Sequence, residues 1–234
     1  MKYTVTTQSL TKYYGSTRAV EDINLAVPQG QIYALLGPNG AGKSTTLSLL
    51  LNLINPTSGT IEIFGKPWHR NVLARIGASI NGPALYEHLS AHENLEVHAC
   101  LLNLTPTHVQ DALKLVHLED ARGKPVKQFS TGMKSRLALA IALLTTPDLL
   151  ILDEPQNGLD PEGIHELRVL LREYAQAGRT VIISSHQLGE VARLADFIGV
   201  IAHGSLRYQG TLADFAPDAN KLEEAYLKLT REHV

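Results

Sequence analysis

Gly37-Pro38-Asn39-Gly40-Ala41-Gly42-Lys43-Ser44 follows a short apolar run, Gln31 to Leu36, and precedes a stretch of helical character from Thr46 to Leu53. The pattern G-x-x-x-x-G-K-S is suited to holding phosphate. Its glycines let the main chain curl so that successive N–H groups point inward. Lys43 reaches the outer phosphates, the Ser44 hydroxyl is a ligand for Mg²⁺, and the helix that follows sets its positive end beneath the same charge. Asn39, Ala41 and Thr45 complete the stretch expected to touch a nucleotide. Taken alone, the loop does not separate ATPases, GTPases and small-molecule kinases.

A second candidate lies further along. Leu149-Leu150-Ile151-Leu152-Asp153-Glu154 reads as an apolar strand ending in two carboxylates. At such a tip, Asp153 would hold Mg²⁺, in part through water. Glu154 would face the γ-phosphate and polarise a water for in-line attack. A GTPase would normally also carry a guanine-reading N/T-K-x-D. The chain has none, which favours ATP.

These residues need a scaffold. The 234 residues allow one large domain with a buried core, or a core with a small subdomain. Tyr3, Val5 and Thr7 alternate as in a strand, and a further strand is expected over Ile23 to Val27, ending at the turn Pro28-Gln29-Gly30. Thr60 to Phe64 also reads as a strand. Apolar residues then fall at mixed helical spacings from Gly82 to Lys127, with few β-branched runs, which predicts an inserted helical subdomain. Strands return at Leu149 to Leu152, Thr180 to Ser184 and Phe197 to Ile201, with helices between, an alternation that predicts a mainly parallel sheet. Lys221 to Leu229 reads as a terminal helix. The expected division is a first part of the core over 1–81, the helical insert over 82–127 with its signature region running to about 140, a second part of the core over 128–210, and a helical tail over 211–234.

Bulk properties narrow the partners. A formal net charge of −2 offers no basic field for nucleic acid. Met1 to Leu10 is mostly polar, so no signal peptide is expected, and Leu137 to Leu152 is interrupted too soon to span a bilayer. The single cysteine, Cys100, cannot form an internal disulfide; it fits a reducing compartment and reads as a small core residue. His88 and His92 have i,i+4 spacing that suits a metal, but no third ligand is evident.

Between the two phosphate-handling segments lies Phe129-Ser130-Thr131-Gly132-Met133-Lys134-Ser135-Arg136, which resembles the signature sequence of ABC cassettes, usually L-S-G-G-Q and a basic stretch. Pro155-Gln156-Asn157-Gly158-Leu159-Asp160-Pro161 resembles the family's D-loop. His186, after Ser184-Ser185, resembles its switch histidine, and Tyr14 the aromatic that stacks on adenine. The elements come in the family's order and cover nearly the whole chain.

The resemblance implies a RecA-like P-loop NTPase core with an N-terminal antiparallel β part and an inserted helical subdomain. It implies a subunit that binds and hydrolyses ATP on the cytoplasmic face of the membrane, attached through a separate multi-helix permease. Two such subunits, identical or sister cassettes, would pair head to tail around two ATP molecules. Ser130 and the Gly132 backbone would bind the γ-phosphate of the partner's site. His186 would contact the same phosphate, and Asp160 would communicate between the two sites.

Two positions depart from the family pattern. Asn81 stands where most cassettes have a glutamine that binds Mg²⁺ or the attacking water; it keeps the amide but is one methylene shorter and would reach through water. Thr131 replaces the first signature glycine and narrows backbone freedom there. The text from Gly82 to Leu95, and Gly132-Met133-Lys134, look like those of bacterial bacitracin- and lantibiotic-type self-protection exporters, a subgroup with Glu at the position of Asn81. The alternatives are a drug- or lipid-exporting cassette, or a soluble ABC ATPase acting in translation or DNA repair. The latter typically has two cassettes or a long coiled coil; this chain has one phosphate loop and no sustained heptads.

Overall fold

The computed structural model describes residues 2–216 and 221–231. The N-terminal alternation opens a long strand, β1 (Tyr3–Tyr14), paired antiparallel with β2 (Thr17–Ile23) and β3 (Ala26–Pro28). The strand expected over Ile23 to Val27 is therefore two strands that meet there. Asp22 has φ 51, a left-handed conformation that breaks the ladder, and the pairing of β1 with β2 is irregular.

The fully buried β4 (Ile32–Leu36) leads into α1 (Lys43–Leu50), and β5 (Ser58–Ile63) with β6 (Lys66–Pro67) completes the antiparallel sheet, in the order β2-β1-β5-β6. After a 3₁₀ turn over Arg70–Arg75 comes β7 (Ile76–Ser79), a strand absent from the sequence expectation. It is only four residues long, and Gly77 lies against the Ala142 carbonyl, where no side chain fits.

The middle of the chain is helical: α2 (Ala91–Leu101), α3 (Pro106–Leu115) and α4 (Thr131–Leu143). They share an apolar core that includes Leu95, Val109, Leu113, Leu137 and Leu144. Cys100 is exposed, contrary to the core position expected for it. The buried stripe of α2 is Ala91, Asn94, Leu95 and Ala99, and Cys100 is one residue, about 100° of helix, past it.

The second half alternates β8 (Leu149–Asp153), α5 (Pro161–Gln176), β9 (Thr180–Ser185), α6 (Leu188–Leu194), β10 (Phe197–Ala202), β11 (Ser205–Thr211), α7 (Leu212–Phe215) and α8 (Leu222–Arg231). The second sheet has the order β11-β10-β4-β9-β8-β7. All its pairings are parallel except that of β10 with β11. One apolar core fills the space between this sheet and the antiparallel one, with Val5, Ile23, Tyr33, Leu47 and Ile151. Another lies on its opposite side, under α5 and α6. Among the described residues, no helix is long and apolar enough to cross a membrane.

Candidate functional site

Strand order decides what can meet. The phosphate loop leaves the end of β4, His186 follows β9, Glu154 follows β8 and Asn81 follows β7, and these are neighbours along one edge of the parallel sheet. Register aligns the tips, with Leu36 beside Ser185 and Asp153 beside Ser184. The carboxyl edge of an open parallel sheet is where such folds bind ligands.

The loop itself is shaped by glycine. Gly40 and Gly42 have φ 78 and 107, and a Cβ on Gly42 would stand 2.6 Å from Val20 Cγ1 and 2.8 Å from the Ala19 carbonyl. No side chain is tolerated there on either ground. Gly42 is the N-cap of α1 and has no side chain to satisfy the first N–H groups of that helix, so they face the loop. The Gly204 N–H donates to the Ala41 carbonyl at 3.1 Å, tying the hairpin of β10 and β11 to the loop.

Lys43 is buried. Its Nζ donates to the Gly37 and Pro38 carbonyls at 2.7 and 3.2 Å and lies 3.6 Å from Glu154 Oε1. The other oxygen of that carboxylate lies 2.7 Å from His186 Nδ1. The Glu154 backbone is held in the left-handed region, φ 51, with its N–H donating to Ser184 Oγ at 2.9 Å. The same Ser184 hydroxyl donates to Asp153 Oδ1 at 2.5 Å. Around these groups is a cavity of about 360 Å³, lined also by Ala19, Asn39, Gly40, Gly42, Ser44, Thr45 and Asn157. The loop, Glu154 and His186 are thus brought together around one cavity.

Other expected residues lie outside that cavity. Asn81 and Asp153 line a neighbouring, more apolar cavity of about 390 Å³ between the helical region and α5. Asn81 follows a strand three places from β4, roughly 14 Å away at the usual strand spacing. Tyr14 is exposed, with Lys12 Nζ 5.2 Å from its ring centre. Ser130 caps α4, its Oγ accepting the Met133 N–H at 3.2 Å, and is on the surface with Thr131. Asp160 caps α5 by accepting the Gly163 N–H at 2.9 Å. None of the five, Tyr14, Asn81, Ser130, Asp153 and Asp160, lines the phosphate-loop cavity of its own chain.

A model of the ABC transporter family matches residues 20–157, which span the phosphate loop, the signature stretch and the two carboxylates. The chain belongs to the ABC transporter family. It is 47% identical over 199 residues to the lantibiotic transport ATP-binding protein SrtF of Streptococcus pyogenes, covering 85% of this chain and 87% of that one. It is 46% identical over 211 residues to the bacitracin transport ATP-binding protein BcrA of Bacillus licheniformis, covering 88% and 69%. A solved ATP-binding subunit of an ABC transporter superposes with a TM-score of 0.86 at 30% identity, covering 96% of this chain and 98% of that one. The chain is an ATP-binding, ATP-hydrolysing subunit of this family, whose members work with a membrane permease and dimerise.

The sequence reading gave no role to Ser184, Ser185 or Gln156, all of them buried at the site. A signal was present: two hydroxyls end the otherwise apolar β9, directly before His186. Buried polar residues at the carboxyl end of a parallel strand point to a site.

Proposed function

We propose that this subunit powers the export of a peptide antibiotic, of the lantibiotic or bacitracin type, through a separate permease, in self-protection or resistance. The observation that carries the reading is the 47% and 46% identity to two ATP-binding proteins named for lantibiotic and bacitracin transport. The exporter-like text from Gly82 to Leu95 and at Gly132-Met133-Lys134 supports it.

In this reading the N–H groups of residues 39–45 and Lys43 cradle the triphosphate, and Tyr14 stacks on adenine. Ser44 and Asp153 offer hydroxyl and carboxylate oxygen, a hard donor set that fits Mg²⁺. Ser184 keeps Asp153 in place, and Asn81 approaches from β7 through water. Held there, Mg²⁺ would supply positive charge to offset that of the phosphates. Glu154 orients the attacking water and accepts its proton. The new oxygen–phosphorus bond forms as the bond from the γ-phosphorus to the bridging oxygen breaks, giving ADP and phosphate. His186 contacts the γ-phosphate and keeps Glu154 aimed at the water.

Ser130 and Gly132 lie away from their own chain's phosphate loop and serve the site of a second subunit, with Asp160 linking the two sites. Residues 82 to about 140 act as a helical unit that presses on the permease from the cytoplasmic face, and hydrolysis resets it. The test is to add ATP to solubilised native membranes containing a tagged Glu154→Gln subunit and identify the proteins that co-purify. A stoichiometric multi-helix permease, whose deletion sensitises the host to a peptide antibiotic, is expected. A ribosome, or a permease whose deletion changes only small-drug or lipid tolerance, would contradict the proposal.

A further inference from the structure

We infer that Gln156 is a positioning residue for ATP hydrolysis: its amide, braced on Ser185, holds the outer edge of the Glu154 carboxylate. This deepens the reading of Glu154 as proton acceptor and rests on it.

Gln156 is polar yet only 6% exposed, in the turn that leaves β8. Its Nε2 has two hydrogens and two acceptors, Ser185 Oγ at 2.7 Å and Glu154 Oε2 at 3.4 Å. Ser185, 1% exposed, also accepts the Gln187 N–H at 3.0 Å, so its oxygen is fixed by two donors and is a firm post. The neighbouring serine braces the main chain, since Ser184 Oγ accepts the Glu154 N–H. Glu154 needs such bracing, because φ 51 is sparsely populated for a residue with a side chain. The Asn157 N–H closes the turn on the Glu154 carbonyl at 3.0 Å.

The carboxylate has other neighbours, but each also has a task at the phosphates. Lys43 belongs to the phosphate loop, and the His186 side chain is 43% exposed beside the cavity. Gln156 is the buried neutral donor of the set. Its amide is neutral at every working pH, so it orients the carboxylate without adding a charge next to the phosphates. A side chain that fixes the direction of a general base changes the rate of the chemical step and leaves the substrate's binding contacts intact.

The experiment uses the purified full chain as wild type, Gln156→Met, Ser185→Ala and the double variant, with Glu154→Gln alongside. Steady-state ATP hydrolysis, nucleotide affinity and melting temperature are measured for each. Methionine keeps the length and removes both donors; Ser185→Ala removes the post, together with the acceptor of the Gln187 N–H, and secures the test should the first variant fold poorly. Each single variant is expected to lose on the order of ten-fold in kcat, with KM and affinity unchanged and the melting temperature lowered by only a few degrees, as loss of a buried hydrogen bond requires. The double variant should fall no further than the lower single one, since both remove the same support. Wild-type kcat in Gln156→Met, losses that multiply in the double variant, or a fall matched by weaker nucleotide binding or by unfolding at the assay temperature would overturn the inference. If Glu154→Gln is inactive while Gln156→Met turns over at the wild-type rate, only the role of Gln156 falls. Turnover in Glu154→Gln removes the underlying reading as well.

Discussion

Lys43 donates to two carbonyls of its own loop and approaches Glu154, so a buried ammonium is satisfied within the loop that it serves. Replacing it with alanine removes a charge-assisted contact to phosphate worth about 1.5–3 kcal/mol. Lys43→Ala should therefore weaken ATP binding by roughly 10- to 100-fold, measured by titration with a fluorescent nucleotide; an unchanged affinity would count against the phosphate-loop assignment. Residues of this kind were legible because chemistry dictates their spacing: the Gly-rich octet and the Asp153-Glu154 pair carry their own signature. Ser184, Ser185 and Gln156 were not. Their partners are separated by about 30 residues or belong to an adjacent turn, and meet only through the pairing of β8 with β9. The exposure of Cys100 was misjudged because an apolar neighbourhood in sequence does not say which face of a helix a residue occupies.

At the scale of elements, the runs that became β4, β8, β9 and β10 were readable as continuous apolar stretches between turn residues, which is how strands covered on both faces appear. Short β7 and the antiparallel β11, which is only partly buried, gave no such run. The start of α2 carries a capping box. The Ser90 side chain accepts the Glu93 N–H, and the Glu93 carboxylate accepts the Ser90 N–H. Buried Asn94 then clasps the preceding segment, accepting the Tyr86 N–H and donating to the carbonyls of Tyr86 and Ser90. Ser90→Ala should lower stability by about 1 kcal/mol, read as a shift in the denaturation midpoint.

The hydrogen bonds from Ser90 hold the Glu93 carboxyl below its ordinary value. A lowered carboxylate value stabilises the fold above the unfolded-state value, and that contribution is lost as pH falls through the folded-state value. The Ser90→Ala difference should therefore narrow on acidification. Signature and D-loop also meet within one chain: a Cβ on Gly158, at φ 79, would stand 2.5 Å from Thr131 Cγ2. Thr131 is tolerated in the signature because a glycine faces it. Gly158→Ala should cost on the order of 1–3 kcal/mol in thermal unfolding and slow turnover, with Thr131→Gly relieving part of both.

For the molecule as a whole, three apolar cores are arranged so that the site lies at a carboxyl sheet edge beside a helical unit with its own core. Ser130 and Thr131 remain on the surface of that unit, away from the phosphate-loop cavity. A ligand bridging one chain's loop and another's signature favours the paired state alone. ATP should then convert monomer to dimer when hydrolysis is blocked, and Ser130→Arg should prevent it without altering the monomer's nucleotide affinity; light scattering after size exclusion reads both. The overall architecture was legible from the alternation of strand and helix, whereas the way in which the cores divide depends on packing between distant segments.

The central claim is that Glu154 drives hydrolysis at a site that binds ATP independently of it. The most direct measurement is the ATP hydrolysis rate of Glu154→Gln beside its ATP affinity in the same preparation. A fall of about 10²–10⁴-fold with affinity retained is the predicted result. A rate near that of the wild type, or a loss of binding as large as the loss of rate, would contradict the account.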